Sequence, residues 1–77
     1  MSRYVLDVAE LHRRLDQKRQ QLGLTWRGLA RETGIAQSFF SRLAHGKRPD
    51  ADALVTLLVW LDLDTDLAIM IKPKDTP

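Results

Sequence analysis

Residues Leu29–Asp50 read "LARETGIAQSFFSRLAHGKRPD". Gly34 and Gly46 bracket a segment too short to be a stable helix alone in water, so its neighbours must hold it. Phe40 and Leu43 lie three apart and, with Ile35, form an inward face. Gln37, Ser38, Ser41 and Arg42 fall on the opposite side, spaced by one, three and four residues. Ala36 is a poor N-cap, a weakness that tertiary packing has to offset.

Upstream, Thr25 is the N-cap of a helix "WRGLARET" that Gly34 ends, with Leu29 and Ala30 turned inward. Gly28 inside it costs up to about 1 kcal/mol relative to alanine and reflects either a close backbone approach, the favoured reading, or mere tolerance. Further back, Asp7 caps a helix over residues 8–22, with Glu10 three positions on as in a capping box. Leu11, Leu15 and Leu22 recur at helical spacing, Lys18 occupies the slot between them, and Gly23 supplies the stop. Arg3 and Tyr4, ahead of this helix, read as a frayed terminus.

Downstream, "GKRPD" is a loop and Asp50 caps a fourth helix, with Asp52 adding negative charge to its first turn. This helix, "ADALVTLLVWL", is apolar almost all round. Leu54, Leu57, Leu58 and Leu61 make one stripe, and Val55, Val59 and Trp60 lie off it. A helix apolar on every side needs cover on every side, from the C-terminal "DLAIMI" or from a second subunit. The segment 64–71 fits either a short helix capped by Asp64 or an edge strand; the helix is favoured, and Pro73 ends it.

Seventy-seven residues make one small domain, and 44% apolar content is ordinary for a compact fold. The chain has no cysteine and two distant histidines, His12 and His45, which argues against a disulfide framework, a metal site or a catalytic pair. No run approaches the roughly 18 apolar residues of a membrane helix, and no signal-peptide pattern opens the chain. A cytoplasmic protein without cofactor or metal is expected. The net charge of +2 hides an asymmetry. Residues 1–49 carry ten Lys/Arg against four acids, a net of +6, and residues 50–77 carry two Lys against six Asp, a net of −4. A basic side of this kind suits a polyanionic partner.

Two short helices joined through "ETGI", the second polar on one face and apolar on the other, form a helix-turn-helix over about residues 25–46. Such a motif lays its second helix in the DNA major groove, where glutamine pairs with adenine, arginine with guanine and serine with either.

The ordered set of Thr25, Leu29–Ala30, Gly34–Ile35, Ser41-Arg42-Leu43, Gly46 and Pro49 resembles the Cro/repressor, or XRE, type of helix-turn-helix, over about residues 8–63. The resemblance implies an all-α, compact four- to five-helix repressor-like domain. It implies base contacts from Gln37, Ser38, Ser41 and Arg42, and phosphate contacts from Trp26, Arg27, Phe39, Lys47 and Arg48. Trp26 stands where relatives often carry a phosphate-binding glutamine, and its indole N–H can still donate one hydrogen bond. Relatives frequently pair an arginine late in helix one with a glutamate after the helix-three leucine. Arg19 fits the first position, but Ala44 fills the second, leaving Asp50 or a phosphate as the partner for Arg19. Phe39 either meets a thymine methyl or packs under Trp26.

The expected function is that of a small transcriptional regulator, a repressor or Cro-like protein acting by operator occupancy. An antitoxin or other protein-interaction module, using the apolar helix-four and C-terminal surface, is the alternative. The expected partners are double-stranded DNA and a second copy of the chain through Trp60, Leu67, Ile69 and Ile71. Nothing in the sequence assembles catalytic chemistry, so an enzyme is not expected.

Overall fold

The computed structural model describes residues 4–61 and 71–73. A short strand β1 (Tyr4–Leu6) leads into four helices: α1 (Val8–Gln21), α2 (Trp26–Thr33), α3 (Gln37–Ala44) and α4 (Ala51–Trp60). A second strand, β2 (Ile71–Pro73), returns to β1 in an antiparallel ribbon that pairs Tyr4 with Pro73, Val5 with Lys72 and Leu6 with Ile71. Tyr4, expected in a frayed terminus, is therefore a paired strand residue, although its side chain is exposed. Ile71 opens a strand, and the rest of the expected helix over 64–71, with Leu67 and Ile69, lies outside the described residues.

Three of the four helices begin on a side-chain cap. Asp7 accepts the Glu10 amide at 3.1 Å, Thr25 the Gly28 amide at 3.0 Å, and Asp50 the Ala53 amide at 2.7 Å. Each bond satisfies one of the amides that a helix start leaves without a partner. Ala36, before α3, provides none. The Glu10 side chain engages Arg13 and Arg14 of its own helix.

The core forms where the helices meet. Leu11 and Leu15 of α1, Leu29 of α2, Phe40 and Leu43 of α3, and Leu57 of α4 are buried to 2% exposure or less. Val8 and Leu61 close its margins, and Leu6, Ile35, Leu54, Leu58 and Trp60 pack against it. At about 25 cal/mol per Å² of apolar surface removed from water, such burial is what makes α2 and α3, eight residues each, persist.

Two positions of the α1 stripe depart from expectation. Leu22 is the C-cap, where the backbone leaves helical register, and it is 54% exposed. Lys18 sends its ammonium to the Trp60 carbonyl and over the Trp60 ring, 4.8 Å from its centroid. A cation at the C-terminal end of a helix meets carbonyls that have no partner within it, so Lys18 ties α1 to the end of α4. Trp60 is thus partly buried and braced within the chain. The outer face of α4 does stand open: Val55 and Val59, one turn apart, are each 58% exposed.

Candidate nucleic-acid interface

The presentation of α3 starts in the turn before it. Gly34 ends α2 in the left-handed conformation, φ 73°, and its amide bonds the Ala30 carbonyl at 2.9 Å. The Thr33 hydroxyl donates to the Leu29 carbonyl at 2.9 Å and accepts the Ile35 amide at 3.3 Å, holding the turn from its inner side. Phe40 and Leu43 then anchor α3 in the core, which fixes its rotation about its own axis. Gln37, Ser38, Ser41 and Arg42, within an arc of about 140° at 3.6 residues per turn, point to solvent, and all four are exposed. Among the described residues, none of these four side chains makes a hydrogen bond or ion pair. Unengaged donors and acceptors aligned on one helix face are what reading the edges of base pairs requires.

Beside this face runs an open groove of about 620 Å³. Gln37, Ser38, Phe40, Ser41 and Ala44 of α3, Trp26 of α2, and His12 and Asp16 of α1 line it. Trp26 is the hub: His12 stacks on its ring at 5.2 Å, Phe40 meets it at 5.6 Å, and the Arg19 guanidinium lies 4.7 Å from its centroid. Of the two environments anticipated for Phe39, packing under Trp26 is not found. Phe40 takes that place, and Phe39 is half-buried, edge-on to Phe40 at 5.5 Å.

Arg19 finds partners other than those expected. Its Nε and Nη2 donate to Asp16 Oδ1 at 3.1 and 2.7 Å, and Nη1 donates to the Leu24 carbonyl at 2.7 Å. Gln20 donates to Asp16 Oδ2 at 3.0 Å. The Arg19 hydrogen bonds hold the Asp16 carboxyl below the usual carboxylate range, with Gln20 adding to the effect. With Ala44 too small to reach Arg19, the cation is satisfied within α1 and against Trp26, without a partner on α3.

The cations of residues 4–61 fall into two groups. Arg13 and Arg14 are held by Glu10, whose carboxyl the Arg13 hydrogen bonds lower to about 2. Arg19 is held by Asp16, Lys18 by α4, and Arg48 donates one hydrogen bond to the Leu6 carbonyl at 3.2 Å. Arg27, Arg31, Arg42 and Lys47 are exposed, and among the described residues their side chains have no hydrogen-bond or ion-pair partner. The second group lies wholly in α2, α3 and the loop after α3, the elements of the motif itself.

A family model described as Helix-turn-helix matches residues 15–67, more than half of the chain. The chain belongs to the XRE-type helix-turn-helix family. No curated protein and no solved structure matches it. The family is one of DNA-binding transcription regulators, typically non-enzymatic. None of its described helices is long and apolar enough to cross a membrane. Sequence reasoning does not single out His12 and Asp16 as site residues. They lie one turn apart on the flank of the Leu11–Leu15 stripe, and only the packing of α1 beside α3 gives that flank a meaning.

Proposed function

We propose that this helix-turn-helix protein is a sequence-specific double-stranded DNA-binding regulator, a small repressor or Cro-like protein that acts by occupying its operator. The observation that carries the reading is the outward face of α3, exposed and without internal partners. In the major groove, Gln37 pairs with an adenine edge, Arg42 bidentately with a guanine, and Ser38 and Ser41 with either. Lys47, Arg27 and the Trp26 N–H hold backbone phosphates. Arg48 joins them with the donors that Leu6 leaves free, since a guanidinium carries five. The polar tips of one helix thus supply register and sequence reading, and the flanking cations supply most of the affinity. Occupancy of an operator excludes polymerase by volume alone.

The test is fluorescence anisotropy of a mixed-sequence duplex titrated with protein at low and moderate salt. Binding that weakens steeply as salt rises is expected, because each phosphate contact releases condensed counterions. No binding even at low salt would overturn the reading. A second reading rests on Val55 and Val59, which leave α4 with an uncovered apolar strip. That strip serves either a homodimer, together with Trp60, Leu67, Ile69 and Ile71, or a protein partner such as a toxin. Sedimentation of the isolated chain as a monomer would remove the homodimer.

A further inference from the structure

The groove beside α3 is continuous with the recognition face. Gln37, Ser38 and Ser41 are both proposed base readers and part of its lining, which they share with His12, so DNA held by those residues lies close to His12. His12 is half-buried, and its ring position is fixed by the stack on Trp26. We propose that His12 is a further DNA-contacting residue, donating to a backbone phosphate across this groove and taking up a proton as DNA binds. The inference rests on the DNA-binding reading above and adds to it a dependence on pH.

The charges around the imidazole change when DNA binds. In the free protein α1 presents the Asp16 carboxylate, itself engaged by Arg19 and Gln20. From α2 comes the uncharged Trp26 ring, with the Arg19 guanidinium also against it. The groove lining from α3 carries Gln37, Ser38, Ser41 and Ala44, all uncharged. DNA introduces a row of negative charges, one per about 1.7 Å of duplex axis. A new negative neighbour favours the imidazolium over the neutral ring, and exclusion of water strengthens the attraction. Proton uptake on binding means that affinity falls as pH rises, by up to about tenfold per pH unit for one proton. The contact is to phosphate, so it adds affinity on every sequence.

The experiment is anisotropy titration of one duplex between pH 5.5 and 8 at constant ionic strength, with wild type, His12→Gln, His12→Lys and His45→Gln. Wild type is expected to lose affinity as pH rises, His12→Gln to lose most of that slope, and His45→Gln to keep it. His12→Lys is expected to bind at least as tightly as wild type at pH 8 and without the slope, which a merely structural role for His12 would not produce. Thermal unfolding of each variant separates misfolding from a lost contact. DNA binding by wild type whose affinity does not change with pH would overturn the inference while leaving the DNA-binding reading intact. So would a slope that survives in His12→Gln.

Discussion

The outer surfaces of α1 and α3 use polar residues in opposite ways. On α1, Glu10 takes Arg13 and Arg14, Asp16 takes Arg19 and Gln20, and Lys18 crosses to α4. On α3, Gln37, Ser38 and Arg42 take no partner within the described chain. The first pattern is that of a helix stabilised by its own side chains at three- and four-residue spacing. The second gives up such stabilisation, and α3 also lacks a side-chain N-cap. A helix with so little local support is held by its neighbours, and its polar face remains available to a partner.

The largest test of this contrast is Phe40→Ala, which removes the anchor of α3. With Phe40 2% exposed, the expected loss is about 3–5 kcal/mol of folding stability, read by denaturant or thermal unfolding. A loss below about 1 kcal/mol would mean that α3 is not held from its inner face. Next, Arg19→Ala removes two hydrogen bonds to Asp16, one to Leu24 and the contact with Trp26. A stability loss of about 1–3 kcal/mol is expected, with no change in the salt dependence of DNA binding. A salt slope reduced by about one would move Arg19 into the DNA-contacting group.

Arg42→Ala reverses that profile. Folding stability should stay within about 0.5 kcal/mol, while discrimination at one base pair falls by about 1–3 kcal/mol. Equal loss on cognate and random DNA would deny Arg42 a base-reading role. A smaller effect follows from acid. Glu10, with its pKa lowered from an ordinary 4.5 to about 2, and Asp16, lowered from 3.8, bind fewer protons folded than unfolded. Their contribution is therefore complete above about pH 4.5 and fades as pH falls toward 2. Denaturation midpoints across that window should drop, and Glu10→Gln should make the drop shallower.

The smallest expected change is Gly28→Ala. A Cβ there would meet Leu24 Cδ2 and Thr25 Oγ1 at 3.4 Å, ordinary contact with the chain's own side chains. The close approach inferred from sequence is no barrier, and a stabilisation below about 1 kcal/mol should follow from helix propensity.

Most of this fold is legible in the local chemistry of the sequence. Asp7, Thr25 and Asp50 mark three helix starts, and each does cap. The spacing of Phe40 and Leu43 sets the inward side of α3 and therefore its exposed face. Relations between helices are not legible in the same way. The partners of Arg19 lie within one turn on α1 and at Leu24, yet whether it also reaches α3 depends on how closely Ala44 approaches. Lys18 looks like a gap in an apolar stripe, because nothing in the sequence places the end of α4 above it. The β1–β2 ribbon is hidden for the same reason: two three-residue strands far apart in sequence leave no periodicity to read.

That ribbon has a consequence for the order in which the molecule assembles. The helices close contacts over short stretches of chain, whereas pairing Tyr4 with Pro73 closes a loop of nearly the whole sequence. Loop entropy rises with length, by about 0.6 kcal/mol per doubling, so this pairing is favoured only once the helices have shortened the path. Two strands of three residues each then make it a shallow unit, open to solvent exchange at a lower cost than global unfolding. Arg48 is bonded to the Leu6 carbonyl, so the loop after α3 is tied to one strand of this ribbon.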